Sequence, residues 1–340
     1  MEISYSRRDI NPQLSFERQE LAAFLDKHHL RCDDDIEFAA AFVDDETEEI
    51  VGCGCCSGSI LKCFAVDERL RGQNLMGQII SILVNNRFAA GYSRLFVYTK
   101  PENQPLFQGA GFFTIAATDR VAMMENRPKG PAQFIAGVRQ ETAPEAVIGA
   151  AVMNCNPFTL GHRYLVEYAS AHCDLLYLFV VEEDRSAFPF ADRLALVQQG
   201  TADLDNVKVF PGGPYMISSA TFPTYFLKKD DDAVSIQAKL DLTIFAEQLA
   251  PALGVSRRFV GQEPLCPVTG KYNAVMQELL PAHGIEVCEI PRKETADGVI
   301  ISASTVRQCL EGQHPELDLR QLVPETTYAY LMQHQGQARS

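Results

Sequence analysis

A short motif contains the residues best suited to chemistry: Asn156-Pro157-Phe158-Thr159-Leu160-Gly161-His162. It lies between an apolar segment typical of a buried strand and a segment with helical periodicity. Free backbone N–H groups at a helix start favour phosphate. Gly161 would let a nucleotide approach the backbone closely, and His162, one turn into the helix, can donate a hydrogen bond to a phosphate oxygen. The motif therefore predicts a phosphate-binding turn.

A second cluster of hydroxyl and cationic side chains lies near the C-terminus, in Ile301-Ser302-Ala303-Ser304-Thr305-Val306-Arg307. Its serines precede a predicted helix, and Arg307 falls in the first turns of that helix. Serines at a helix start are usually only an N-cap, and a single histidine early in a helix is usually structural. Taken together, however, the two clusters favour a nucleotide site.

The segments around both motifs alternate between strand and helix. The predicted strands lie at 146–153, 175–181, 207–210, 258–261 and 285–290, and the predicted helices at about 160–171, 191–204, 235–249, 272–280 and 302–311. Alternation of helices with almost continuously apolar strands predicts an α/β fold with a doubly wound parallel sheet. Ligands of such sheets bind at the carboxyl ends of the strands, where the first motif lies.

The two motifs resemble those of the nucleotidyltransferase superfamily, which has a Rossmann-like fold. Thr159-Leu160-Gly161-His162 is similar to its (H/T)xGH motif and 301–307 to its ISSTxxR motif, with Ala303 and Ser304 as departures. The resemblance implies that the motifs hold ATP from two sides, with Mg²⁺ accompanying the nucleotide. It assigns catalytic roles to Thr159, His162 and Arg307. It assigns ATP binding to Asn156, Pro157, Phe158, Gly161, Ser302, Ser304 and Thr305.

Attack at the α-phosphate of ATP builds negative charge on its oxygens and on the departing pyrophosphate. Fixed hydrogen-bond donors that match this charge supply most of the catalysis in such reactions. We therefore expect His162 to contact the α-phosphate. We expect Ser302, Ser304 and Arg307 to contact the β- and γ-phosphates.

The second block of the chain resembles the citrate lyase ligase family over nearly all of 146–330. The stretches that carry the resemblance are 149–162, 181–190, 217–226, 260–264, 269–273 and 289–293. It implies an AMP-forming acid–thiol ligase that converts ATP and acetate into acetyl-AMP and pyrophosphate. The acetyl group then passes to the thiol of the CoA-like prosthetic group on the citrate lyase acyl carrier (gamma) subunit, which activates citrate lyase. The alternative is an adenylyltransferase that leaves AMP on a phosphopantetheine-like product.

Three cationic side chains near the predicted sheet edge are candidates to hold acetate or pyrophosphate: Arg185, Lys271 and Arg292. Each could equally be a solvated surface charge. Arg193 is interpreted in two ways, as a phosphate contact or as part of a helix surface. The aromatic segment 221–226 is interpreted first as core packing, with a wall of the acetate pocket or a dock for the carrier arm as alternatives.

The first block combines predicted helices at 15–28, 75–90 and 103–109 with strands at 37–43, 50–56, 60–66 and 94–98. Its stretch 60–115 resembles the GNAT acetyltransferase fold. Arg69, Gly72 and Asn74 take the positions of the pyrophosphate-binding loop (R/Q)xxGx(G/A), although Asn74 replaces a usual glycine or alanine. A side chain there would crowd a pyrophosphate. The block could bind the CoA-like arm of the carrier, transfer acetyl groups from acetyl-CoA, or be purely structural.

The boundary between the blocks falls in the Pro- and Gly-rich stretch 125–131. We therefore predict an α+β acetyltransferase-like domain at 1–130 and a nucleotidyltransferase-like, ATP-binding ligase domain at 131–340. A chain of 340 residues suits two such domains. The segment 133–138 is a candidate for one more strand.

The composition of the chain limits the classes of partner that it is expected to bind. A formal net charge of -14 argues against a nucleic-acid backbone, because its phosphates would be repelled. The longest apolar runs, such as 146–153 and 175–181, are too short to span a bilayer. The N-terminus lacks the apolar stretch of a secretory signal. We expect a cytoplasmic protein with no nucleic-acid or membrane partner.

Ten cysteines in such a chain favour free thiols over disulfides. The run Cys53-Gly54-Cys55-Cys56 lies in an apolar, strand-like stretch where thiols pack as small apolar groups. No second Cys/His pair at zinc spacing follows it. We therefore favour packing over a metal site and expect no metal bound directly by the protein.

Overall fold

The computed structural model describes residues 4–182, 186–218, 221–228, 230–264 and 266–334. The chain forms two compact units. The first comprises Met1–Gly130 and Phe222–Ile236, and the second comprises Pro131–Thr221 and Gln237–Ser340. The segment Phe222–Ile236 thus departs from the simple division at 130 and 131, because its aromatic side chains are buried in the first unit.

The first unit contains seven strands and three α-helices within its described residues. The strands are β1 (Tyr5–Ile10), β2 (Phe38–Asp44), β3 (Ile50–Ser57), β4 (Ile60–Val66), β5 (Phe96–Thr99), β6 (Phe113–Ala117) and β7 (Ala122–Glu125). The helices are α1 (Ser15–Lys27), α2 (Leu75–Ala89) and α3 (Gln104–Gly109). The elements predicted in this block are therefore present, with small shifts at their ends.

The strands form one mixed sheet in the order β1-β2-β3-β4-β5-β7-β6. All neighbours are antiparallel except β4 and β5, which are parallel and pair only at Ile60–Phe96 and Leu61–Val97. Beyond these pairs the two strands have no common hydrogen-bonded register, so a gap opens between their carboxyl ends. Together with the helices, this gives the α+β architecture predicted for the first block.

The cysteines of β3 belong to the core of this unit. Cys53, Cys55 and Cys56 are fully buried, and all ten cysteines of the chain are free thiols. Burial raises the pKa of the Cys53 thiol and raises that of Cys56 to about 11. Protonated thiols of this kind pack as apolar groups, which is the role predicted for this run.

The second unit is built on a parallel sheet. Its strands are β8 (Ile148–Met153), β9 (Leu175–Val180), β10 (Val207–Pro211), β11 (Val255–Gly261) and β12 (Glu286–Ile290). They lie in the order β10-β9-β8-β11-β12, with every neighbouring pair parallel. The order reverses direction at β8, as in doubly wound sheets, and the predicted fold class is confirmed.

Eight helices accompany this sheet in the described part of the chain. They are α4 (Gly130–Val138), α5 (Leu160–Ala171), α6 (Phe190–Gly200), α7 (Ala233–Ile244), α8 (Ala250–Leu253), α9 (Pro267–Ala282), α10 (Ala303–Leu310) and α11 (Glu325–Gln333). A π-helical turn, Phe245–Leu249, joins α7 to α8. None of the helices described is long and apolar enough to cross a membrane.

The prediction of a strand at 133–138 is wrong, because this segment belongs to α4. Pro131 lies in the first turn, where its missing N–H costs nothing and its fixed φ suits a helix. Ile135 and Val138 are both buried. Their spacing of three places them on one face of a helix, whereas in a strand it would point them to opposite sides.

Candidate active site

The first motif leaves the carboxyl end of β8 through a buried turn. Arg193 on α6, which is fully buried, fixes this turn. Its Nη1 donates to the Asn154 carbonyl at 2.6 Å and to the Val181 carbonyl at 2.9 Å, and its Nε donates to the Phe188 carbonyl at 3.2 Å. The helix-surface interpretation of Arg193 is wrong, because the side chain is buried. Its bonds to carbonyls of the loops after β8 and β9 favour a structural role over a phosphate contact.

Thr159 and His162 cap the start of α5 reciprocally. The Thr159 Oγ1 accepts from the backbone N–H of His162 at 3.3 Å, and the Thr159 backbone N–H donates to His162 Nδ1 at 3.0 Å. Because Nδ1 is an acceptor, the proton of the neutral imidazole lies on Nε2. The cap therefore sets both the orientation and the tautomer of His162, and presents Nε2–H as a donor.

The charge state of His162 follows from its surroundings. The ring stacks on fully buried Phe158, with centroids 5.9 Å apart and planes 13° from parallel. Burial lowers the pKa of His162 to about 4, and the positive charge of Arg292 adds to the effect. At neutral pH the side chain is uncharged, so it acts as a hydrogen-bond donor rather than as a cation.

Gly161 also has a packing role that the sequence did not predict. A Cβ on Gly161 would lie 2.6 Å from the carbonyl oxygen of Ile301. The absence of a side chain therefore lets the second motif pack directly against the first turn of α5. Part of the amide surface expected to be free is also engaged, because the Leu160 N–H donates to the Leu322 carbonyl at 2.9 Å.

The second motif forms the start of α10. Ser302 is the N-cap, and its Oγ accepts from the Thr305 backbone N–H at 3.0 Å. The hydroxyls of Ser304 and Thr305 each lie 2.8 Å from Ser302 Oγ. These three hydroxyls make a compact group, with Ser304 exposed to solvent.

Arg307 joins the second motif to the first. Its Nη1 donates a short hydrogen bond to the Asn156 carbonyl, across 151 positions of sequence. The side chain of Asn156 in turn accepts from the Phe188 backbone N–H at 3.1 Å. The structure thus brings together both predicted clusters at the carboxyl end of β8.

The three candidate cationic side chains lie in different environments or outside the described residues. Arg292 packs over Gly261 at the end of β11, where its Nε donates to the Gln262 carbonyl at 2.5 Å and it forms an ion pair with Glu263. Its positive charge also contributes to the lowered pKa of His162. Lys271 is exposed on α9. Arg185 lies outside the described residues.

Sequence reasoning missed the part played by the C-terminal segment. Ile301 and Val306 pack with Phe188, Leu322 and Leu331 in one apolar cluster. This cluster buries the inner face of α10 against the residues before and within α11. The sequence indicates only that this segment has an apolar face, and it does not indicate which residues that face packs against.

The aromatic segment at 221–226 packs in the first unit. Phe222, Tyr225 and Phe226 are buried, as core packing predicts, and the Tyr225 hydroxyl donates to the Tyr98 carbonyl at 2.8 Å. Tyr225 and Phe226 also line a cavity of about 790 Å³ between the carboxyl ends of β4 and β5. The segment is therefore part of the core and, at the same time, a cavity wall.

The loop before α2 lines the same cavity through Gly72 and Asn74, and the first turn of α2 does so through Gly77. Asn74 adopts a left-handed conformation, with φ of 58°. Its side chain lies against Gly77, where an added Cβ would collide with it. The side chain expected to crowd this loop is therefore folded back over the first turn of α2.

A model of the family described as "Citrate lyase ligase C-terminal domain" matches residues 148–331. The chain is 44% identical to a [Citrate [pro-3S]-lyase] ligase of Klebsiella pneumoniae over 321 residues, covering 93% of each chain. It is 41% identical to the Escherichia coli K12 protein of the same name, covering 92% of this chain and 89% of the relative.

Among solved structures, Escherichia coli ElaA matches 36% of this chain and all of its own, at 13% identity and a TM-score of 0.33. The GNAT protein YhbS of Escherichia coli matches 38% of this chain and 85% of its own, at 18% identity and a TM-score of 0.30. Because a family model matches over half of the chain and relatives above 40% identity match nearly all of it, this chain belongs to the citrate lyase ligase family.

Proposed function

We propose that the second unit activates acetate with ATP, as the first half of a reaction that acetylates the acyl carrier subunit of citrate lyase. The observation that carries this proposal is the contact between the two motifs. Arg307 binds the Asn156 carbonyl, and the Ile301 carbonyl packs on Gly161. N–H and hydroxyl donors from two distant segments therefore converge where a triphosphate would lie.

In the first step, a carboxylate oxygen of acetate attacks the α-phosphorus of ATP. A P–O bond forms to acetate, the bond to the β-phosphate bridging oxygen breaks, and pyrophosphate leaves with that electron pair. Acetate is already ionised at neutral pH, so no base is required. The neutral His162 donates from Nε2 to an α-phosphate oxygen, while Arg307 and the hydroxyls of the second motif stabilise the leaving pyrophosphate.

Mg²⁺ is proposed to enter with ATP and to neutralise its phosphates. In the described ranges, no group of three or more His, Cys, Asp or Glu side chains is arranged to hold a metal ion. The donors at the motifs are N–H groups, hydroxyls and a guanidinium, which suit phosphate oxygens. The protein residues then position the nucleotide, and the metal is held through the phosphates.

In the second step, the thiol of the carrier's CoA-like prosthetic group attacks the carbonyl carbon of acetyl-AMP. A C–S bond forms, the C–O bond to AMP breaks, and AMP leaves with the electron pair while the thiol proton passes to solvent. The product is the acetylated carrier, and citrate lyase is thereby activated. Because ATP drives the reaction, we expect it to occur in the cytoplasm.

We further propose that the first unit receives the prosthetic arm of the carrier. Its cavity of about 790 Å³ is within the usual range of ligand sites, roughly 300–1,000 Å³. It lies where β4 and β5 diverge and where α2 begins, and the side chain of Asn74 in its wall lies against Gly77 in the first turn of α2. CoA is the available probe, since it shares the arm's chemistry.

The main experiment identifies the products that the protein forms from ATP and acetate, with and without deacetylated carrier. We expect acetate-dependent pyrophosphate release, then AMP and acetylated carrier once carrier is added. His162→Ala should remove this activity, and His314→Ala, at an exposed histidine paired with Glu316, should keep it. Pyrophosphate release that does not depend on acetate, with AMP retained on a product, would instead identify an adenylyltransferase.

The first unit is tested separately. CoA should inhibit carrier acetylation in competition with the carrier, while leaving acetate-dependent pyrophosphate exchange unchanged. Met76→Trp, which fills the cavity, should raise the KM for carrier about tenfold or more, since the arm loses its contacts. Acetyl-CoA consumption that survives His162→Ala would identify an acetyltransferase instead. No effect of CoA or of Met76→Trp would leave the first unit with a structural role.

A further inference from the structure

A second cavity, of about 220 Å³, lies in the second unit beside the carboxyl ends of β8 and β9. Val152, near the end of β8, and Val181, directly after β9, form part of its wall. Residues of β11, α7, α9 and the segment 216–218 also line it. The first motif leaves the sheet from this same end of β8, so the cavity and the motif share one edge of the sheet.

Two charged side chains line this cavity, Arg258 on β11 and Asp241 on α7. Arg258 is only 3% exposed. Its Nε and Nη1 are buried and have no hydrogen-bond partner among the residues that the structure describes. The guanidinium lies 4.6 Å from the ring centroid of Phe245, which offers no hydrogen-bond acceptor for these N–H groups.

The nearby carboxylate does not satisfy these nitrogens. Asp241 is buried, and its Oδ1 accepts from the Ile217 backbone N–H at 2.6 Å. Its Oδ2 accepts from the Tyr272 hydroxyl at 2.5 Å. Each oxygen therefore already accepts one hydrogen bond from the cavity wall, and neither accepts from Nε or Nη1 of Arg258. The charge of Asp241 favours the protonated form of Arg258.

Burying a charged donor without a hydrogen bond costs free energy, and such donors are rare in proteins. We therefore expect a bound acceptor to satisfy these two nitrogens. Nε and one Nη of arginine form a planar pair that matches the two oxygens of a carboxylate. The cavity is smaller than the roughly 300–1,000 Å³ of most ligand sites, and Val152, Val181 and Met276 make part of its wall apolar. A small acid with a short apolar tail fits this combination.

We propose that Arg258 binds the carboxylate of the acid substrate, a short-chain monocarboxylate, in this cavity. Its Nε and Nη1 donate to the two oxygens, and the apolar wall holds the alkyl end. Neither the motifs nor the three cations singled out in the sequence include Arg258. The assignment rests on the proposed activation of acetate and adds the residue and pocket that select the acid.

The test compares Arg258→Met and Arg258→Lys with Arg257→Met. Arg257 is the matched control, because it is adjacent in sequence, partly exposed, and bonded to Glu286 at the surface. Acetate-dependent pyrophosphate exchange is measured at saturating ATP. Arg258→Met should raise the KM for acetate about 100-fold, with Arg258→Lys intermediate and the KM for ATP nearly unchanged. An unchanged KM for acetate in folded Arg258→Met would overturn the assignment.

Since loss of a buried arginine could unfold the protein, a second variant tests the same cavity. Val181→Ala shortens a side chain of the wall, which enlarges the cavity and leaves Arg258 unchanged. It should shift the kcat/KM ratio of propionate to acetate about tenfold toward propionate, as expected for one methylene. A purely structural cavity would leave this ratio unchanged, which contradicts the proposal.

Direct binding separates this proposal from the proposed function. Acetate binding is followed by calorimetry on the wild type and on the variants, without ATP. Binding that depends on Arg258, without any pyrophosphate exchange in the wild type, would overturn acetate activation but support the site. Exchange in the wild type that Arg258→Met leaves intact would support activation and overturn the site. Neither binding nor exchange would overturn both.

Discussion

The Arg307 guanidinium donates a hydrogen bond to the backbone carbonyl of Asn156. This contact joins the helix start of α10 to the turn before α5. Gly161 reinforces it, because the Ile301 carbonyl occupies the space where a side chain would stand. The two motifs are therefore one assembly, in which a change to either should displace the donors of both.

Arg307 provides the first prediction. Arg307→Ala should lower kcat/KM for acetate-dependent pyrophosphate exchange about 100-fold or more, because it removes a donor to the phosphates and a contact that positions Asn156. Arg307→Lys should recover little, since lysine lacks the planar fork of arginine. The control is Arg320→Ala, at an exposed arginine paired with Glu325. Equal activity in Arg307→Ala and Arg320→Ala would contradict the role assigned to Arg307.

His162 provides a prediction on pH. Its pKa is lowered from 6.5 to about 4 in the folded protein, so the unfolded state binds the proton more readily. Its contribution to stability is fully present above pH 6.5 and is lost as the pH falls toward 4. NMR titration of the His162 ring should show no protonation near pH 6.5 and a midpoint at about pH 4. A His162 midpoint near 6.5 would contradict the neutral-donor role.

Gly161 provides a prediction on packing. Gly161→Ala should destabilise the protein by about 1–3 kcal/mol, because the new Cβ meets the Ile301 carbonyl. The matched control is Gly137→Ala on α4, where a Cβ has open space and helix propensity favours alanine. Denaturant unfolding of both variants measures the difference. Similar free energies of unfolding would show that the two motifs are not in close contact.

Arg193 provides a prediction on the loops around the site. Arg193→Met should lower the free energy of unfolding by about 3–5 kcal/mol, because it leaves the carbonyls of Asn154, Val181 and Phe188 without their buried donor. Arg139→Met, at an exposed arginine, is the control. A small loss of stability, combined with a large rise in the KM for ATP, would instead return Arg193 to the phosphate-contact interpretation.

The sequence was sufficient for the features that depend on local pattern. Strand and helix alternation predicted the parallel sheet, and the spacing in Thr159-Leu160-Gly161-His162 predicted the start of α5. The same local pattern misled at 133–138, where Pro131 and the spacing of buried residues make a helix. Short apolar segments do not distinguish the two periods well.

Features that depend on distant contacts could not be predicted. Nothing local to Arg193 or Arg258 shows that each is buried, since arginines in helices and strands are usually exposed. The packing of Phe222–Ile236 in the first unit also depends on partners far along the chain, such as Tyr98. The second role of Gly161 depends on Ile301, far along the chain, whose position only the folded structure gives.

The fate of the acetate oxygens distinguishes an acetyl-AMP intermediate from other routes to the acetylated carrier. With acetate labelled by heavy oxygen in its carboxylate, ATP and deacetylated carrier, attack at the α-phosphorus followed by transfer to the thiol leaves one labelled oxygen in AMP. We expect labelled AMP and unlabelled pyrophosphate, with loss of both products in His162→Ala. Label in inorganic phosphate or pyrophosphate, or unlabelled AMP, would contradict an acetyl-AMP intermediate.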